Sequence, residues 1–102
     1  MIVYISGPIT GHDGYLKNFR RAEGELREAG HIPVNPACIF EPFAKTNADH
    51  DVFLESCLRL MGHCGAIYML DGWEDSKGAV LELAHAREIG LDVMWERRHG
   101  RA

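Results

Sequence analysis

The sequence predicts a single α/β domain with three layers, in which a four-stranded parallel sheet carries helices on both faces. Short apolar runs alternate along the 102 residues with longer segments whose apolar residues recur at helical spacing. The run from Ala66 to Leu70 shows no polar alternation, which is typical of a strand in a sheet that is covered on both sides. This length fits one domain.

The first half of the chain contains two predicted strands and one helix. Residues 2–6 form a short apolar strand that ends at Gly7 and Pro8. Residues 16–29 have helical spacing and end at Gly30. Residues 31–34 form the second strand, and residues 37–48 are expected to be irregular.

The second half repeats the alternation. Asn47 or Asp49 is expected to cap a helix that runs to about Gly62, and residues 66–70 form the third strand. Ser76 is the predicted N-cap of a helix over residues 77–89, and residues 92–95 form the fourth strand. Ligands of such folds bind at the carboxyl ends of the strands, so we expect loops 7–15, 35–43 and 71–76 to meet there.

The composition of the chain argues against several classes of function. The formal charge of −4 argues against a nucleic-acid polymer as partner, because that role needs a basic face. No segment approaches the roughly 20 apolar residues that span a membrane, and the first residues do not resemble a leader, so we expect a cytoplasmic protein. The three cysteines form no C-x-x-C pair, which favours reduced thiols, and we expect neither a metal nor a cofactor.

The stretch DGWEDSKGAVLELAHA, residues 71–86, holds a single acid, Glu82, inside an apolar helix. Two interpretations stay open: a surface acid paired with His85 or Arg87, or a catalytic carboxylate. Gly78 lies one turn earlier and leaves the helix surface above Glu82 open to a ligand. Ser76 and the first free amides of this helix are placed to hold an anion.

Other polar residues are expected near the same edge of the sheet. Asp71 directly follows a strand and is expected to point at the ligand site, whereas Glu74 and Asp75 are read mainly as complements of the helix dipole. Tyr4 is read as a core residue whose hydroxyl needs a partner, for which a carboxylate at the strand ends is one candidate. The loop GPITGHDG matches no standard phosphate-binding motif.

Four strings together resemble the nucleoside 2-deoxyribosyltransferase superfamily. They are YISGPITG, NPA, CGAIYMLDGWEDSKGA and the glutamate that follows, within the pattern W-E-x-S-K-G-A-x-x-E. The resemblance covers about residues 2 to 95 and is greatest to a branch of small uncharacterised phage and bacterial domains (DUF4406-like). It implies a flavodoxin-like or Rossmann-like fold and a site that acts on the N-glycosidic bond of a nucleoside or nucleotide.

The resemblance also implies roles for individual residues. Glu82 falls on the family nucleophile, Tyr4 on the tyrosine that steadies it, and Gly7 on the glycine of the first loop. Ser76 and Gly78 fall on positions that help to hold a 5′-phosphate in the nucleotide hydrolases of the family.

The chain departs from the family at several positions. Cys57 stands where the family has an aspartate on the second helix, and Gly65 replaces an acid before the third strand. Pro8 and Thr10 replace a serine and an arginine near the phosphate. A retaining glycosyl transfer needs a nucleophilic carboxylate and a second group that protonates the leaving base. We expect Asp71 to be that second group, with Asp75 as the next candidate.

The sequence therefore predicts an N-glycosyl hydrolase or 2-deoxyribosyltransferase that acts through Glu82, with a non-catalytic nucleotide-binding module as the alternative. The expected partner is a small nucleoside or nucleotide, and the family implies a homodimer or higher homo-oligomer. Residues 1–96 are expected to form the domain and residues 97–102 a short basic tail. Trp73 is a candidate for an interface, and Trp95 is expected mainly in the core.

Overall fold

Four parallel strands form one sheet in the order β2-β1-β3-β4. A computed structural model of the chain describes residues 1–9, 14–39 and 50–96. The elements in chain order are β1 (Ile2–Ser6), α1 (Tyr15–Glu28), β2 (Ile32–Val34), α2 (Pro36–Ile39), α3 (His50–Met61), β3 (Ala66–Met69), α4 (Lys77–Glu88) and β4 (Asp92–Trp95). A short 3-10 helix, Trp73–Asp75, precedes α4.

This strand order confirms the predicted fold, a flavodoxin-like α/β domain. β1 pairs with β2 on one side and with β3 on the other, and β4 adds to β3. The chain leaves β1 in one direction and later crosses back to place β3 on its other side, so strand order reverses between β1 and β3. Ligands of doubly wound folds bind at such a reversal, outside the carboxyl ends of the strands.

Each face of the sheet has its own core. Side chains of β1 alternate between the faces because successive residues of a strand point to opposite sides. Val3 and Ile5 pack against α1, whereas Tyr4 packs with residues of α3 and α4. We call these two sides the α1 face and the α4 face. Helices cover both faces, as predicted.

The predicted element boundaries agree with the structure to within one or two residues in the described ranges, with one exception. Residues 36–39 form the short helix α2 instead of the start of an irregular segment. The Asn35 side chain accepts a hydrogen bond from the Cys38 N–H at 3.3 Å, and Pro36 supplies the fixed φ that suits a first helical residue. The predicted caps Asn47 and Asp49, residues 10–13 of the first loop with Thr10, residues 40–43 of the second loop, and the tail 97–102 lie outside the described residues.

Glycine ends two helices as predicted. Gly30 follows α1 with φ 88°, and Gly90 follows α4 with φ 81°. Both angles lie in the left-handed region, where a side chain is disfavoured, so glycine there lets the chain turn directly into the next strand. Among the described helices, none combines the length and apolar character needed to cross a membrane.

Candidate functional site

Glu82 lies inside the domain and not on its surface. The buried residues of α4 are Ala79, Glu82, Leu83 and Ala86, which form one stripe along the helix. This stripe faces the sheet, and only 8% of Glu82 is exposed. The interpretation of Glu82 as a surface acid paired with His85 or Arg87 is therefore wrong.

Two hydroxyl groups of β1 hold the Glu82 carboxylate. The Tyr4 hydroxyl donates to Oε2 at 2.6 Å, and the Ser6 hydroxyl donates to Oε1 at 2.6 Å. Tyr4 and Ser6 are two residues apart on a strand, so both side chains point to the α4 face. The partner expected for the Tyr4 hydroxyl is confirmed, whereas Ser6 is a site residue that sequence reasoning missed.

The Cys57 thiol completes the surroundings of the carboxylate. Cys57 lies on α3, is buried, and is close enough to Tyr4 and Glu82 to affect the pKa values of both. Burial raises the pKa of this thiol to about 12. The residue aligned with the family's aspartate thus does contact the site, but as a neutral group at ordinary pH.

The pKa of Glu82 reflects two opposing effects. Burial raises the pKa of the carboxyl above its ordinary value, and hydrogen bonds from Ser6, Tyr4 and Cys57 lower it by less. Burial, together with the charge of Glu82, also raises the pKa of Tyr4 well above the ordinary value. Tyr4 therefore keeps its proton at neutral pH and stays a hydrogen-bond donor. Of these two groups, Glu82 is the one that loses its proton at the lower pH.

The start of α4 has the features that the sequence predicted. The Ser76 side chain accepts a hydrogen bond from the Ala79 N–H at 3.2 Å, which confirms it as the N-cap. A methyl group built on Gly78 would meet nothing within 4 Å, so the helix surface one turn before Glu82 is open. The N–H groups of Lys77 and Gly78 point away from the helix and lack intrahelical acceptors. Binding of a phosphate by Ser76 and Gly78 stays a prediction.

Gly7 has a packing role that the sequence did not reveal. A methyl group at this position would lie 2.7 Å from Leu70 Cβ, closer than side-chain carbons approach. Only glycine therefore lets β1 leave the sheet directly beside the end of β3. A role in binding substrate stays a prediction for Gly7, and the close approach to Leu70 is sufficient to require glycine.

Asp71 lies at the carboxyl end of β3, and its backbone is held by Glu96. The Asp71 N–H donates to Glu96 Oε1 at 3.0 Å, and Arg21 of α1 donates to Glu96 Oε2 at 3.2 Å. Among the described residues, the hydrogen bonds recorded for the Glu82 carboxylate come from Tyr4 and Ser6, and Asp71 is not one of these donors. The role of Asp71 as proton donor stays a prediction.

The acids of the 3-10 helix are solvent-exposed. Glu74 and Asp75 lie just before the Ser76 cap, where negative charge complements the helix dipole.

The assignment of Trp95 to the core is wrong, because 43% of this residue is exposed on the edge strand β4. Its ring lies against that of Trp73, with centroids 5.6 Å apart.

Comparison with known proteins supports the fold and names a family. A solved structure of a 2-deoxyribosyltransferase from the psychrotolerant bacterium Bacillus psychrosaccharolyticus matches with a TM-score of 0.77 and 21% identity. The match covers 100% of this chain and 76% of that one. At this identity the likeness establishes a shared fold. No curated protein sequence matches the chain significantly.

The family model called "Domain of unknown function (DUF4406)" matches residues 1–95. This range includes both hydroxyl residues of β1, all of α4 and Glu82, so the family match and the fold match cover the whole candidate site. The chain is therefore a member of the DUF4406 family, with the fold of the nucleoside 2-deoxyribosyltransferases.

Proposed function

We propose that this protein is an N-glycosidase or 2-deoxyribosyltransferase that acts on a nucleoside or nucleotide, with Glu82 as the nucleophile. The observation that carries the proposal is a buried carboxylate with a hydroxyl donor on each oxygen, located beside the strand-order reversal. Burial of an isolated carboxylate destabilises a protein. Polar groups arranged around a buried carboxylate therefore indicate a functional role for it. The fold shared with a 2-deoxyribosyltransferase supports the same chemistry.

The reaction needs one bond to form and one to break. An oxygen of Glu82 attacks the anomeric carbon of the sugar, and the bond from that carbon to the base nitrogen breaks. The bonding electrons leave with the base, which takes up a proton, and the sugar stays attached to Glu82 as an ester. Water, or the nitrogen of a second base, then attacks the same carbon and gives up a proton to the group that protonated the leaving base. The bond from the carbon to the Glu82 oxygen breaks, and its electrons restore the carboxylate.

Tyr4 and Ser6 are assigned to orientation of the nucleophile. Two hydroxyl donors on opposite oxygens fix the plane of the carboxylate, so that little rotational freedom is lost when the attack occurs.

The proton for the leaving base is assigned to Asp71, with Asp75 as the second candidate. Asp71 is half-buried at the end of β3, and Glu96 holds its backbone. A thiol with a pKa of about 12, as at Cys57, does not release a proton efficiently at neutral pH.

The proposal is tested by release of free base. Purified protein is incubated with deoxynucleosides, their 5′-monophosphates and the ribose counterparts, and the products are separated by chromatography. We expect one of these to yield free base, and Glu82→Gln to lower the rate at least about a thousandfold. Glu88→Gln is the matched control because Glu88 is an exposed acid on the same helix. Addition of a second base distinguishes transfer from hydrolysis.

A non-catalytic nucleotide-binding module is the second candidate. It is favoured by Cys57 and Gly65, which stand at positions where the resembled family has acids. This candidate predicts saturable thermal stabilisation by a nucleotide without any product. Base release that continues undiminished in Glu82→Gln contradicts the assigned nucleophile, and absence of both release and stabilisation contradicts both candidates.

A further inference from the structure

The only two tryptophans of the chain contact each other at the carboxyl end of the sheet. Trp95 is the last residue of β4, and Trp73 begins the 3-10 helix that leads from β3 to α4. Their rings are inclined by 43°, and Trp95 is substantially exposed. The pair therefore presents aromatic surface to solvent at the edge where the strands end.

The strand register relates this pair to the nucleophile. Ser6 pairs with Met69, and Met69 pairs with Trp95, so these residues form one row across three strands. Residues that pair in a parallel sheet point to the same face, and Met69 belongs to the core of the α4 face. Trp95 thus lies on the same face as the Ser6 hydroxyl that bonds Glu82, at two strand spacings, or about 10 Å.

The two ends of this row differ in the part of a nucleoside that they suit, a sugar at one end and a base at the other. Glu82 lies over β1 at one end of the row, where a sugar would react. A base attached to that sugar is planar and aromatic, and it extends a few ångströms from the anomeric carbon. Trp73 also packs against the core of the α4 face, which holds the pair on the side where the base must lie.

We propose that Trp73 and Trp95 form the surface on which the nucleobase stacks. The inference rests on the proposed function, because it takes Glu82 to be the group that meets the sugar. Stacking on an indole requires only a π-face, so this surface selects planar heteroaromatic bases as a class without choosing among them. The exposed face of Trp95, which the core does not use, is the face assigned to the base.

Tryptophan fluorescence tests this inference directly, since every tryptophan of the protein belongs to the pair. Adenine is titrated into the protein, and a parallel titration of N-acetyltryptophanamide corrects for light absorbed by adenine. We expect saturable quenching by adenine and none by 2-deoxyribose. Free adenine is not turned over, so the measurement does not depend on catalysis.

Substitution of either tryptophan shows where adenine binds. In Trp95→Leu and in Trp73→Leu the remaining indole still reports, and we expect the Kd for adenine to rise about tenfold. Trp95→Phe keeps an aromatic ring and is expected to restore most of the affinity. Tyr68→Leu is the matched control because Tyr68 lies on the neighbouring strand and packs on the opposite, α1 face.

The outcomes separate this inference from the proposed function. Absence of saturable quenching, or an unchanged Kd in both leucine variants, overturns the stacking surface even if base release is observed. Quenching that responds to these substitutions, without base release from any nucleoside or nucleotide, supports the stacking surface and contradicts the enzyme.

Discussion

The Glu82 carboxylate is held by residues whose types were visible in the sequence but whose proximity was not. Tyr4 is a site candidate because its hydroxyl needs a partner when buried and because it falls on a tyrosine of the family that the sequence resembles. Ser6 was read only as the end of an apolar strand, although its spacing of two from Tyr4 places both side chains on one face. The spacing of two identifies Ser6 as a neighbour of Glu82 only once it is known that α4 packs on the face of β1 to which Tyr4 and Ser6 point.

Removal of the Ser6 hydroxyl should change the pH dependence of activity. The hydrogen bond from Ser6 lowers the pKa of Glu82, so Ser6→Ala should raise that pKa further. A nucleophile must be ionised, and we therefore expect the acidic limb of the kcat/KM profile to move to higher pH, with a maximal rate about tenfold lower. Ser56→Ala is the control, because that hydroxyl bonds the Val52 carbonyl on α3. An unshifted acidic limb contradicts the role of Ser6.

Glu82 should also lower stability at neutral pH. Its pKa is raised in the folded state, so the folded protein binds more protons than the unfolded chain between the ordinary and the raised pKa. Stability therefore falls as pH rises through this window. We expect Glu82→Gln to be more stable than the parent at pH 7, on the order of 1 kcal/mol, and the difference to vanish below the ordinary pKa of glutamate. Thermal unfolding at both pH values measures this, and a constant difference contradicts it.

At the scale of the element, α4 begins at the N-cap that the sequence predicted, Ser76. The sequence predicted its start correctly because Ser76, the glycine after it and the apolar run are local signals. The prediction of an irregular segment after β2 was wrong at α2, because a helix of four residues is too short to show a periodic pattern of apolar residues. Local chemistry at Asn35 and Pro36 decides its formation instead.

Two substitutions at Ser76 separate capping from ligand binding. Ser76→Ala removes the acceptor for the Ala79 N–H and should cost about 1 kcal/mol, which lowers the Tm by about 4–8 °C. Ser76→Asp keeps an acceptor and should restore the Tm. If Ser76 contacts a 5′-phosphate, the aspartate should raise the KM for a nucleoside monophosphate and leave the KM for the nucleoside unchanged. Equal effects on both substrates contradict a phosphate contact.

At the scale of the whole molecule, Glu96 links three parts of the fold. Its carboxylate follows β4, binds Arg21 of α1 and accepts the Asp71 N–H beyond β3. Only 2% of the Glu96 side chain is exposed. Sequence reasoning placed Glu96 at the end of the domain and gave it no partner, because the pairing depends on the order of strands in the sheet. That order follows from long-range packing and not from any local pattern.

Loss of Glu96 should destabilise the fold more than loss of a surface ion pair. Glu96→Ala leaves the Asp71 N–H and Arg21 without this acceptor, and we expect a cost of about 2 kcal/mol, since Arg21 is one-third exposed and regains water. Glu96→Gln keeps an acceptor and should cost less. Urea unfolding measures both variants. Glu55→Ala is the control: the Arg59–Glu55 pair is shorter, at 2.9 Å, but exposed, so we expect a change near zero. Equal costs for Glu96→Ala and Glu55→Ala contradict this role of Glu96.

The hydrogen bonds of Glu82 reach across 78 residues to Tyr4 and 76 to Ser6. During synthesis the two hydroxyls leave the ribosome first, and their acceptor follows after most of the domain has been made. β1 cannot take its final surroundings until α4 has been made, so the hydrogen bonds of Glu82 require most of the chain to be present. A nascent or truncated chain that ends before α4 thus lacks Glu82, and this carboxylate becomes buried only when α4 packs against the sheet.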